Sequence, residues 1–143
     1  KFHTGDGQGV PYCFTIDLGV RTHLTKFKMS YARADFTDWA PHTFEIWGSN
    51  VGELTTENSG VDVPVDDTSS NFDDAMTAKG WTRIIHTQNP DRWYNTFDLE
   101  DAGTYRYLRF RILKVWHSGG NSGNGMYGNI YELDFWADEI TEL

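Results

Sequence analysis

YCFTIDLG, residues 12–19, decides the fold: Tyr12, Phe14, Ile16 and Leu18 alternate with Cys13, Thr15 and Asp17. A spacing of two puts the apolar set on one face of the chain, as a half-buried strand requires, and Gly19 then marks a turn. The same alternation recurs downstream. Phe27, Met29 and Tyr31 oppose Lys26, Lys28 and Ser30, and in HTFEIWGS, residues 42–49, Phe44 and Ile46 oppose Thr43, Glu45 and Trp47. Both predict antiparallel strands with one wet face.

Residues 54–80 change character: Thr, Ser, Asp and Asn dominate, which predicts a long surface excursion. Within it NFDDAMTAKG offers one or two helical turns, with Asp73 and Asp74 at the N-terminus and Gly80 at the end. Strand patterns return at WTRIIH (81–86) and WYNTFDL (93–99), separated by a turn at Asn89-Pro90-Asp91. YRYLRFRILKVW (105–116) is the longest of them, with Leu108, Phe110 and Ile112 facing inward. Tyr107, Arg109 and Arg111 face the other way and predict a solvated basic stripe. SGGNSGNGMYG (118–128) carries too much glycine for regular structure and reads as a loop. In NIYELDFWA (129–137), Tyr131, Leu133 and Phe135 oppose Ile130, Glu132, Asp134 and Trp136. Seven or more strands joined by polar turns predict an all-β fold, an antiparallel β-sandwich or jelly roll, and no fixed-period repeat points elsewhere.

Composition narrows the partners. Twelve Lys and Arg against 21 Asp and Glu give a formal net charge of −9. Nucleic acid draws its affinity from neutralised phosphates, so it is an unsuitable partner, and an anionic membrane surface is equally disfavoured. No apolar run approaches the roughly 20 residues of a membrane span, so no direct insertion by this domain is expected. A single cysteine, Cys13, excludes an internal disulfide framework and is read as a strand thiol. Length fits one domain over residues 1–143. Lys1 stands where an initiator Met would, so a fragment or processed form is expected, with any targeting segment upstream.

The order of motifs resembles the discoidin family, also called the coagulation-factor type C domain, within the galactose-binding-like superfamily. The matching pieces are FTIDLG (14–19), FEIWGSN (44–50), GWTRI (80–84), YRYLRFRI (105–112) and NIYELDFW (129–136). More narrowly, the excursion after GSN and the WHSGG and GNIYELDFWA ending resemble the discoidin-like domains that end many exported proteins of glycan-foraging gut bacteria. The resemblance implies an eight-stranded galactose-binding-like jelly roll whose loops at one end hold the ligand, often a sugar. It also implies a chain lacking its N-terminal strand or part of a longer protein. Export to the bacterial cell surface or periplasm, with a lipid anchor through an upstream segment, follows from the same resemblance. Sugar-binding members hold a structural calcium ion, and the resemblance assigns Glu132 as one ligand. A hard cation wants about six to eight oxygens, so with one side chain named the calcium stays an open alternative.

A carbohydrate site needs a flat aromatic face for the C–H side of a sugar and planar polar groups for its hydroxyls. Two loops carry that mixture. YARADFTDWAPH (31–42) offers Arg33, Asp35, Trp39 and His42; VWHSGGNSGNGMYGN (115–129) offers Trp116, His117, Asn121 and Tyr127. HTGDGQG, after Phe2, adds His3, Asp6 and Gln8. The structural alternatives are that Phe36 and Trp39 cap the core and that Trp116 only finishes a strand. The glycine loop lacks the Gly-Lys-Ser/Thr ending of a phosphate loop. No Gly-x-Ser-x-Gly, His-Glu-x-x-His or zinc spacing is present, so the chain is expected not to be an enzyme. The sequence therefore predicts a non-catalytic glycan-binding module, with a protein adhesion or scaffold domain contacting a cell-surface protein as the alternative.

Overall fold

A computed structural model describes residues 2–3, 10–30, 39–51, 54–55, 60–61, 70–90, 94–100, 102–116 and 128–142. In chain order the strands are β1 (Phe2–His3), β2 (Tyr12–Ser30), β3 (Pro41–Ser49), β4 (Leu54–Thr55) and β5 (Gly60–Val61). Helix α1 (Phe72–Ala78) follows, then β6 (Thr82–Gln88), β7 (Tyr94–Asp98), β8 (Thr104–Val115), β9 (Asn129–Ile130) and β10 (Glu132–Thr141). The main sheet runs β10-β2-β8-β3-β6, with β7 also paired to β2, and every pairing is antiparallel. It curls into an antiparallel jelly-roll sandwich because β2 belongs to both layers. Tyr12–Asp17 pair with β8, whereas Lys26–Ser30 lie between β10 and β7.

The turn predicted at Gly19 is a corner inside one continuous strand. The β2–β8 register slips between Asp17 and Thr22, and Gly19 sits at a φ of 75°, a left-handed backbone that glycine adopts without steric cost. Asp17 fixes the corner. Its Oδ1 accepts the Gly19 amide at 2.8 Å, and its two oxygens accept a fork from Arg106, Nε at 2.8 Å and a terminal nitrogen at 2.9 Å. The aspartate of FTIDLG is thus a structural clamp.

Between the layers lies an aromatic core. Phe27 stacks on Phe97 with centroids 4.8 Å apart and meets Phe44 edge-on at 6.0 Å, while Phe14 stacks on Phe110 at 5.0 Å. Leu24, Met29, Ile46, Leu108, Ile112 and Val115 complete it, each fully or almost fully buried. The alternation in β2, β3 and β8 therefore assigns the inner face correctly.

The outer face of β3 and β8 departs from the sequence reading. It is covered, not wet. Thr43, Glu45 and Trp47 are buried, and so are Tyr107, Arg109 and Arg111, the last two only 3% and 9% exposed. Helix α1 crosses this face and lays Phe72 and Met76 over Trp47, Trp81 and Tyr107, with Cys13 alongside. Burying two such side chains contributes about 3–6 kcal/mol, enough to hold a seven-residue helix that would be marginal alone. The helix ends as predicted near Gly80, where the Trp81 amide reaches Met76 O at 3.0 Å and the Gly80 amide reaches Thr77 O at 3.0 Å, a Schellman pattern.

Charge under the helix is tolerated because it is paired. Glu45 Oε2 accepts Trp47 Nε1 at 3.1 Å and an Arg111 nitrogen at 3.4 Å. Its Oε1 lies 3.2 Å from His86 Nδ1 and 3.6 Å from Arg83. Asp73 of α1 accepts from Arg83 at 2.5 Å, and the Arg111 guanidinium lies 3.7 Å from the centre of the Phe72 ring. Alternation alone marks these residues as outward-facing, and outward is where they point; the helix then closes over them.

A second departure falls at Tyr131. Ile130 is buried and Tyr131 exposed, the reverse of the alternation read through NIYELDFWA. Tyr131 separates β9 from β10, so the two-residue phase resets there, and Leu133 and Phe135 pack on the core as expected.

Two outcomes test these clamps. Glu45→Ala strands Arg111 and Arg83 and is expected to cost about 3 kcal/mol in urea unfolding, whereas an exposed control, Glu139→Ala, stays within about 0.5 kcal/mol. The Arg106 fork, followed by the Gly19 amide, holds the Asp17 carboxyl below the usual carboxylate range. Its stabilisation is therefore complete above the unfolded pKa of about 3.9 and is lost as pH falls through the lowered folded value. Asp17→Asn is expected to lose about 1–2 kcal/mol at pH 7, discounted for partial exposure, and the two proteins converge in acid.

Candidate functional site

Pairing brings the described borders of both predicted loops together. Pro41 at the start of β3 faces Val115 at the end of β8, so Ala40 and Trp116 lie next to each other. The Trp116 amide donates to Ala40 O at 2.8 Å, tying the two roots together. His3 pairs with Asn129, next to Gly128 at the far border of the second loop.

Trp39, His42 and Trp116 are all half-buried here. The His42 and Trp116 rings meet edge to face, 4.5 Å between centroids and 77° between planes. His42 Nδ1 lies 2.8 Å from Thr43 Oγ1. Burial, and secondarily the Lys114 ammonium, push the imidazole below its ordinary value, so it is neutral at neutral pH and has one donor and one acceptor. A neutral ring with that pair of functions suits sugar hydroxyls, which also both donate and accept.

The strand ends beneath are tied together. Asn89, buried at the end of β6, gives its amide nitrogen to Pro41 O through the side chain and its backbone N–H to His42 O at 2.8 Å. Gly128 is required by close approach: the Tyr12 phenol occupies the place where a Cβ would stand. Asn129 is only 2% exposed, and its Oδ1 has no hydrogen-bond partner among the described residues.

Arg33, Asp35, His117, Asn121 and Tyr127 lie outside the described residues, as do Asp6 and Gln8. Glu132 opens β10 as an exposed side chain opposite Ser30. Among the described residues no three His, Cys, Asp or Glu side chains gather to hold a metal ion. Sequence reasoning missed Asn89, whose only signal was the Asn-Pro turn, and Lys114, which periodicity marks as surface.

The model of the family DUF5000, a domain of unknown function, matches residues 1–137. The chain belongs to that family. A search of curated proteins finds no match. Among solved structures it is similar to a SusE-like protein at 23% identity, with 94% of this chain and 73% of that one covered and a TM-score of 0.59. It is also similar to a family 32 carbohydrate-binding module from a family 31 glycoside hydrolase of Clostridium perfringens, at 18% identity and a TM-score of 0.60, covering 95% and 74% of the chains. A third is the family 32 module of C. perfringens NanJ, solved in complex with galactose, at 13% identity and a TM-score of 0.58, covering 93% and 73%. These likenesses place the DUF5000 chain in the galactose-binding-like β-sandwich fold shared by carbohydrate-binding modules and a SusE-like protein. Among the described residues no helix is long and apolar enough to cross a membrane.

An NMR titration checks the electrostatics of the site. The His42 midpoint is expected below about 6.5. Lys114→Ala should raise it only part of the way back, because burial is the larger cause.

Proposed function

We propose that this DUF5000 domain is a non-catalytic carbohydrate-binding module of an exported cell-surface protein, one unit of a longer lipid-anchored chain. The observation that supports the reading is the Pro41–Val115 pair, which brings Ala40 and Trp116 together at the borders of two stretches whose sequences are rich in aromatic and planar polar residues. Trp39, Trp116 and Tyr127 supply stacking faces, and Arg33, Asp35, His42, His117 and Asn121 bond the hydroxyls. The neutral His42 imidazole edge-on to Trp116 gives the shared root of both loops an aromatic wall with a polar rim. Galactose in the NanJ module makes galactosides the first ligands to try.

A glycan-array screen with and without calcium, repeated with Trp39→Ala and Trp116→Ala, tests the proposal. Selective binding that falls tenfold or more in either folded variant, about 1.4 kcal/mol, supports it. A silent array with folded protein sinks it and favours protein adhesion. Binding that disappears on chelation would assign the calcium to this site.

A further inference from the structure

The outer face of the β7-β2-β10 layer is exposed and lies away from the Ala40–Trp116 junction. Register lays out three rows across it: Tyr94, Ser30 and Glu132; Thr96, Lys28 and Asp134; Asp98, Lys26 and Trp136. A shallow open groove of about 730 Å³ runs over this grid, lined by Lys26, Lys28, Tyr94, Thr96, Asp134 and Trp136. Tyr94 and Trp136 are 67% and 45% exposed, at opposite corners. Two strand spacings and four residues of rise separate them, about 16 Å between Cα atoms. The floor between them alternates in sign. Lys26 pairs with Asp98 at 3.6 Å, Lys28 Nζ lies 5.2 Å from the centre of the Tyr94 ring, and Asp134 stands directly opposite Lys28.

We propose that this groove binds a neutral oligosaccharide of several pyranose rings, independently of the loop end. Trp136 and Tyr94 are its two stacking platforms. Lys28, Lys26 and Thr96 donate to hydroxyl oxygens between the platforms, and Asp134 accepts from hydroxyl hydrogens. Charge decides the ligand class. Two ammonium groups and the carboxylates of Asp98, Asp134 and Glu132 share the face, so a ligand of either single charge meets repulsion, whereas hydroxyls match donors and acceptors together. The layout also argues against a protein partner, since protein interfaces have an apolar centre and a charged rim. Here the ammonium groups are central and the aromatics stand at the corners.

The test is an NMR and calorimetric titration of the folded Trp116→Ala protein, in which the loop end is impaired, so failure there and failure here are read separately. The probes are a galactan-derived and a mannan-derived hexasaccharide, the matching disaccharides and a hexagalacturonate. A neutral hexasaccharide is expected to shift the Trp136 indole and Thr96 amide and to bind at least tenfold more tightly than its disaccharide, because only the longer chain reaches both platforms. Trp136→Ala and, separately, Tyr94→Ala should abolish that length dependence. Both residues are exposed, so each variant is expected to fold. No shift in the groove at millimolar hexasaccharide, equal binding of hexamer and dimer, preference for the hexagalacturonate, or groove shifts that follow protein concentration through self-association would each overturn the proposal.

Discussion

One strand serves two layers, and the position of its bend governs everything else. β2 pairs with β8 through Asp17 and again at Thr22 and His23, and with β10 and β7 from Lys26 on, so a slip of one residue at the corner would turn Phe27 and Met29 outward and Lys26 and Lys28 into the core. Asp17 prevents that slip by holding the Gly19 amide from inside the corner and Arg106 from the neighbouring strand. The aromatic core then follows, since Phe14 meets Phe110 and Phe27 meets Phe97 only when both halves are in register.

The two outer faces receive opposite treatment. Over β3 and β8, α1 seals a charged lattice in which Glu45 is shared by Trp47, Arg111, His86 and Arg83. A buried carboxylate with that many partners offsets its lost hydration, while each partner depends on it. Over β7, β2 and β10, Lys26, Lys28, Tyr94 and Trp136 remain open to solvent. Identical period-2 patterns thus lead to one insulated face and one bare face.

That contrast explains what was legible in the sequence. Inner-face residues were readable because core membership depends on alternation, which β2, β3 and β8 keep. Corner and helix ends were readable because Gly19 and Gly80 have local backbone causes. The covering of Arg109, Arg111 and Glu45 was not, because it depends on Phe72 and Met76 arriving from about 30 residues away in sequence from β3 and β8, and no local pattern encodes that meeting. Nor was the reset at Tyr131, where β9 pairs with β1 and β10 with β2. At the loop end, residue types pointed to Trp39, His42 and Trp116, yet their convergence came from strand pairing and from Asn89, which looked like a turn residue only.

The way Trp116 and Gly128 are held has an evolutionary corollary. One root is held by the Trp116 amide on Ala40 O and the other by Gly128 under the Tyr12 ring, and neither contact uses a side chain of the intervening segment. Both borders are thus held by the sandwich's own strands, so descendants of this scaffold can inherit the same frame at Trp116 and Gly128 while the sequence carried between them changes.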